Sequence, residues 1–338
     1  MNMVPIAVFA DPLHDEHFAP HGHPEREQRV PAALAGLATA GLTEACSVTV
    51  PRAATFAELS SVHSESYLKA LEHFCMEGGG HIDGDTYVDG PGSWRTAIRG
   101  AGAGLAAIEA LQNGLADVAF CAYRPPGHHA LATSAMGFCL LNNVAVAAAS
   151  LVQAGERVMI IDWDVHHGNG TQDIFYNDPN VLYVSTHQDG AYPGTGRLGE
   201  TGGPLAPWTN LNLPLPGGAT GDVLRACFDE VVVPVAARFR PTWLLVSAGF
   251  DAHRDDPLAD FRLTAADFSD LTTDVMALVD RGRTVFVLEG GYDLGALRDS
   301  VGATLSAAIG ESFRPDTPMS GGPGRYVIDA ARRQWELS

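Results

Sequence analysis

The stretch Ile160-Ile161-Asp162-Trp163-Asp164-Val165-His166-His167-Gly168 decides how this chain folds and where its chemistry lies. It reads as an apolar strand that ends in two acids and two histidines. Side chains alternate faces along a strand, so Asp162, Asp164 and, if the extension continues, His166 point the same way. Asp-x-His offers two ligands of the kind a zinc-type divalent ion takes. Acids and histidines are poor strand formers and costly to bury unpaired, so they are not packing residues here.

Working outward, four more β-branched apolar runs share this pattern: Val118 to Ala122, Val181 to Val184, Trp243 to Val246 and Thr284 to Leu288, beside Val158 to Ile161 itself. Continuous apolar strands belong in a parallel sheet covered on both faces. Helical stretches lie between several of them: Trp94 to Gln112, Asn142 to Gln153, Gly221 to Phe239 and Ala265 to Arg281, the last with Thr264 as N-cap and Asp267 in its first turn. The alternation predicts one α/β domain over residues 1–338, with no repeat and no linker to divide it. The longest irregular stretch, His187 to Gly221, is rich in Gly and Pro, and loops of that length usually serve a site.

Every run is followed by polar residues: Arg124 to His129, Asp162 to His167, Ser185-Thr186-His187, Ser247 to His253, and Glu289-Gly290-Gly291-Tyr292. Ligands of open α/β sheets bind at the carboxyl ends of the strands, so five such ends predict one shared site. Asp251 supplies a third metal ligand beside Asp164 and His166, or else caps a helix; spacing leaves both open. Asp251-Ala252-His253 repeats Asp-x-His, so spacing also allows two metals. His128 and His129 follow the stiff Pro125-Pro126-Gly127 turn and suit proton transfer near neutral pH. Tyr292, after two glycines, can donate a hydrogen bond to an oxyanion or simply pack in the core.

The composition bounds the rest. With 338 residues and 46% hydrophobic content the chain can bury a large core. A net charge of −19 argues against nucleic acid, whose binding needs Lys and Arg on phosphates. The five cysteines lack CxxC spacing and read as reduced thiols. No signal peptide is visible, and the most apolar helix candidate, Val144 to Ala154, is too short to span a bilayer. The expectation is a cytoplasmic protein with no membrane or nucleic-acid partner.

The chain resembles the zinc-dependent histone deacetylase family, which includes acetylpolyamine amidohydrolases and bacterial deacetylase-like amidohydrolases. The resemblance rests on His23-Pro24-Glu25-Arg26, Arg124 to His129, Gly137-Phe138-Cys139-Leu140-Leu141-Asn142-Asn143, Asp162 to Gly170, Tyr192 to Gly196, Ser247 to Pro257 and Leu288 to Tyr292. The wording of Asp162 to Gly170 and of Leu288 to Tyr292 is similar to the class II branch.

The resemblance implies the arginase-deacetylase fold, a mostly parallel sheet of about eight strands flanked by helices. It implies one zinc on Asp164, His166 and Asp251. It also implies structural potassium on Asp162, Asp164, His166 and Ser185, with a second site around Phe175, Asp178 and Val181. In the same pattern Asp162 orients His128, Asn169 stands near His129, His129 is the general base and then acid, and Tyr292 holds the carbonyl oxygen. Phe138 and Tyr192, with Gly137 in the same motif, line a channel for an aliphatic arm. Arg26 sits by an inner cavity, and Asp85 grips substrate backbone at the rim. Leu258 stands where polyamine-specific relatives can carry a glutamate, which tilts the expected substrate towards acyl-lysine peptides over acetylated polyamines. Oligomers are compatible with either. Two other readings stay open: an arginase-like ureohydrolase with two manganese ions, against which His167 and His253 stand where acids are expected, and an inactive acyl-lysine binder.

Overall fold

A computed structural model describes residues 4–11 and 16–337. Eight strands form one sheet: β1 Val4–Phe9, β2 Cys46–Thr49, β3 Ala116–Cys121, β4 Val158–Asp162, β5 Val181–Gln188, β6 Asn210–Leu215, β7 Trp243–Ala248 and β8 Thr284–Leu288. Their order is β2-β1-β3-β8-β7-β4-β5-β6, and every pairing is parallel. Apart from the sheet, Gly80–His81 pairs antiparallel with Tyr87–Val88.

The continuous apolar runs are explained by burial on both faces. Alternate residues feed two cores. Val8, Phe120, Ile161, Val184, Val246 and Phe286 pack on one side, and Phe9, Cys121, Ile160, Tyr183, Leu245 and Val287 on the other. Helices Arg29–Thr39, Ala265–Met276, Leu294–Ala308 and Arg325–Gln334 cover the first side. Helices Glu65–Met76, Pro91–Gln112 and Asn143–Gln153 cover the second.

The stretch 221–239 is helical, as its pattern predicts, but carries a π turn at Phe228–Val232. The helix expected to reach Arg281 stops at Met276, and a Leu278 N–H to Val275 carbonyl bond of 3.0 Å closes the last turn. Asp267 does cap its start, accepting from the Thr264 N–H at 2.9 Å and hydroxyl at 2.8 Å. The stretch from His187 to Gly221, expected to be irregular, contains β6, which pairs with β5 along Tyr183–Gln188.

The strand order places the chemistry. β3, β8, β7, β4 and β5 are consecutive in the sheet. Their carboxyl ends carry the five polar clusters, which therefore meet at one end of the sheet.

Candidate active site

At the centre lie Asp164, His166 and Asp251, one potential ligand atom from each within 4.8 Å of the others. His166 Nδ1 is 3.2 Å from Asp164 Oδ1 and 3.0 Å from Asp251 Oδ2. Main-chain donors fix the carboxylates. Gly290 N–H donates to Asp164 Oδ2 at 2.8 Å, and Val165 N–H donates to Asp251 Oδ1 at 2.9 Å. A Cβ at Gly290 would stand 2.2 Å from Asp251 Oδ2 and 2.6 Å from Asp164 Oδ2, so only glycine admits this approach.

Two buried carboxylates this close repel. Burial and the Asp164 charge push Asp251 up to about 7. Burial opposes charge on His166 too, yet the two carboxylates hold its imidazole well above the ordinary range. The pocket is thus built around positive charge, and its hard oxygens with one imidazole fit a divalent zinc-type ion. Asp251 caps no helix, since the next one begins at Ala265. His253 turns away, its Nε2 3.6 Å from Asp316 and its Nδ1 3.7 Å from Asp255, so the second Asp-x-His builds no metal group.

The tandem histidines lie beside this group, their ring centroids 4.0 Å apart. His128 Nδ1 is 3.1 Å from Asp162 Oδ2, which also accepts from the Tyr183 hydroxyl at 3.0 Å. Burial works against charge on His128, but Asp162, Asp164 and Glu289 outweigh it and raise it to about 10. His129 behaves oppositely. Burial and the neighbouring His128 and His166 charges push it well below its ordinary value. Its Nδ1 lies 2.8 Å from Asn169 Oδ1, while Asn169 Nδ2 faces Met136 Sδ at 3.3 Å. With an acceptor at Nδ1, the Nδ1–H tautomer is favoured and Nε2 carries the free lone pair.

Tyr292 is buried, and burial keeps its phenol protonated well above the ordinary range. Its ring stands 5.8 Å from Phe138, and Tyr192 stands 5.0 Å from the His129 ring. Gly137 has φ +56°, and a Cβ there would meet His129 at 2.5 Å and Tyr192 at 2.7 Å. Phe138 is thereby delivered to the site edge, and Thr86 Oγ1 accepts from its N–H at 3.0 Å. Asp85 lies at the same edge, its carbonyl 3.0 Å from His23 Nε2. Leu258 is 39% exposed.

Arg26 is half-buried, whereas Arg29, one turn on, is fully buried and reaches the Tyr292 loop. Arg29 Nε donates to Gly291 O at 2.7 Å, a second nitrogen donates to Glu289 O, and its guanidinium lies 4.9 Å from the Tyr292 ring centroid. Glu25 bridges Arg29 at 3.1 Å and Arg124 at 2.5 Å, so its carboxyl falls to about 2, the two cations overcoming burial. Glu289, from the last motif, acts on the tandem histidines. Its Oε2 accepts from the N–H groups of Gly127 at 2.6 Å and His128 at 3.1 Å, fixing the tandem histidines.

Of the residues expected around potassium, Ser185 sits opposite Asp162 in the strand register, and its Oγ lies 2.8 Å from His187 Nδ1. Phe175, Asp178 and Val181 are joined by backbone bonds, Asp178 N–H to Phe175 O at 2.9 Å and Val181 N–H to Asp178 O at 3.3 Å.

A parallel α/β sheet with this cluster at its carboxyl end is the arginase-deacetylase fold, and its site belongs to a hydrolytic enzyme. The histone deacetylase domain matches residues 23–308, and the chain belongs to the histone deacetylase family. It is 39% identical to histone deacetylase 14, chloroplastic, of Arabidopsis thaliana over 92% of this chain and 80% of that protein. It is 40% identical to the histone deacetylase-like amidohydrolase of Pseudomonas aeruginosa over 80% and 73% of the two chains. The crystal structure of the HDA15 HD domain superposes with a TM-score of 0.90 at 36% identity, over 98% of this chain and 94% of that one. No helix among the described residues is long and apolar enough to cross a membrane, and all five cysteines are free thiols.

Proposed function

We propose that the chain is a single zinc-dependent catalytic domain that hydrolyses the N-acetyl amide of lysine side chains to acetate and a primary amine. The observation that carries this reading is the buried Asp164–His166–Asp251 group beside His129, whose Nδ1 faces Asn169, and the buried Tyr292. Zinc held by those three side chains would polarise the acyl carbonyl and acidify water.

The chain's own residues do the rest. His129 takes the proton of the attacking water at Nε2, the nitrogen that Asn169 leaves free. His128, kept cationic by Asp162, stays charged and stabilises the negative charge developing beside it. The Tyr292 hydroxyl donates to the oxygen that becomes the oxyanion. The His129 imidazolium then returns its proton to the leaving amine, so water ends as the acid oxygen and the amine proton. Phe138 and Tyr192 wall the aliphatic arm, which excludes water from the reacting amide. Asp85 would grip the substrate backbone at the rim. Structural potassium at Asp162, Asp164, His166 and Ser185, and a second around Phe175, Asp178 and Val181, would brace these loops. The five thiols fit a cytoplasmic enzyme.

The Pseudomonas relative's name, an amidohydrolase, supports small acyl amines as a second reading. The acidic side chains of Asp83 and Asp85 beside Tyr192 would attract a polyamine. Against it, Leu258 puts an apolar side chain at the rim position where an acid would pair with the second amine. Comparing kcat/KM for acetyl-lysine peptides and N-acetylated polyamines decides. Peptides should be preferred by about tenfold or more, which is ~1.4 kcal/mol of transition-state discrimination. A preference for polyamines would reverse the substrate assignment.

A further inference from the structure

Tyr292 stands between two glycines and a helix. Gly290 and Gly291 precede it, and Gly291 has φ +116°, a conformation other residues rarely adopt. Asp293 follows and caps Leu294–Ala308 by accepting from Ala296 N–H at 2.8 Å. The phenol's direction is therefore set where the hinge meets the helix. There the Tyr292 N–H donates to the side chain of Asp256, at 2.6 Å from Oδ2, and the Asp293 N–H reaches the same oxygen at 3.4 Å.

The other oxygen of Asp256 faces the rim. Oδ1 accepts from Leu258 N–H at 3.0 Å, and Asp256 N–H donates to His253 O at 2.9 Å. Asp256 is 7% exposed and buried against the site, while Pro257 and Leu258 beside it are exposed. One carboxylate thus spans a rim turn and the backbone of Tyr292. An acceptor on a short, buried side chain fixes a main-chain N–H far more tightly than water would.

We propose that Asp256 is the positioning residue that holds the Tyr292 phenol in its reacting orientation and couples it to the rim turn 256–258. This rests on the reading of Tyr292 as oxyanion donor. Asp256 acts through the backbone it holds, at Tyr292 and at Leu258. Substrates that press on the Leu258 side of the rim would then differ in kcat more than in KM.

The test is a double-mutant cycle with the metal-loaded enzyme on one acetyl-lysine peptide. In Asp256→Asn one oxygen becomes an NH2 group, so either Tyr292 or Leu258 loses its acceptor. We expect kcat to fall about 10- to 100-fold, as misplacement of a reacting group does, with KM and metal content little changed. In the Tyr292→Phe background the same substitution should cost no more than about threefold, because the donor it positions is gone. An equal loss in both backgrounds would mean that Asp256 merely supports the fold, and would overturn the proposal. So would a wild-type kcat in Asp256→Asn. If Asp256→Asn does not accumulate as folded protein, Pro257→Gly on the exposed turn takes its place, with the same non-additivity expected and additivity again overturning it. A silent Tyr292→Phe would remove the reading of Tyr292, and this proposal with it. A costly Tyr292→Phe with an additive Asp256→Asn would remove this proposal alone.

Discussion

His129→Ala should lower kcat by about 10²–10⁴, the range that a positioned general base contributes. Two features make this effect large. Burial and the adjacent positive charges keep His129 neutral, so its base form needs no deprotonation first. Asn169 accepts at Nδ1, so the basic nitrogen is directed away from the asparagine. Alanine leaves both features without a nitrogen to act on. Metal content should be unchanged, since His129 is outside the Asp164–His166–Asp251 group. His128 should not substitute, because Asp162 at its Nδ1 favours the charged imidazole. A loss below about fivefold at saturating substrate, with the chemical step rate-limiting, would assign the base elsewhere.

Tyr292→Phe comes next, with kcat expected to fall about 10²–10³, the usual cost of one oxyanion donor. The ring stays, and its contacts with Phe138 and the Arg29 guanidinium stay with it. Stability should therefore move little, and KM should move less than kcat, because the donor acts on charge that develops only in the transition state. A tyrosine that only packed would show the reverse, a near-silent kcat and a small change in melting temperature.

The residues that read most clearly in the sequence are those with the most constrained surroundings. β4, β7 and β8 announce themselves because both faces are buried, which leaves no room for polar residues until the strand ends. β6 does not. It reads Asn-Leu-Asn-Leu-Pro-Leu, and as an edge strand it tolerates Pro214 and turns Asn210 and Asn212 towards Gln172 at 3.1 and 2.8 Å. β2 has only four residues, too few for a period. In the site, Asp164, His166 and Asp251 follow strands directly, so their convergence follows from the sheet. Arg29 was obscured because the turn that leads into the helix, not motif wording, decides which arginine of the Glu25–Arg29 segment turns inward. Asp256 was hidden because its role depends on a loop packing against the Tyr292 hinge, a contact 36 residues apart in the chain.

The most direct test of a zinc-dependent deacetylase is metal reconstitution. The protein is stripped with a chelator, zinc is added back in measured amounts, and acetate release from an acetyl-lysine peptide is followed. Turnover should vanish on stripping, return in proportion to zinc and level off at about one equivalent per chain, the occupancy of a three-ligand catalytic site. Asp164→Ala should fail to recover at that stoichiometry. Full turnover by the stripped protein, or recovery that needs two ions per chain, would contradict the account.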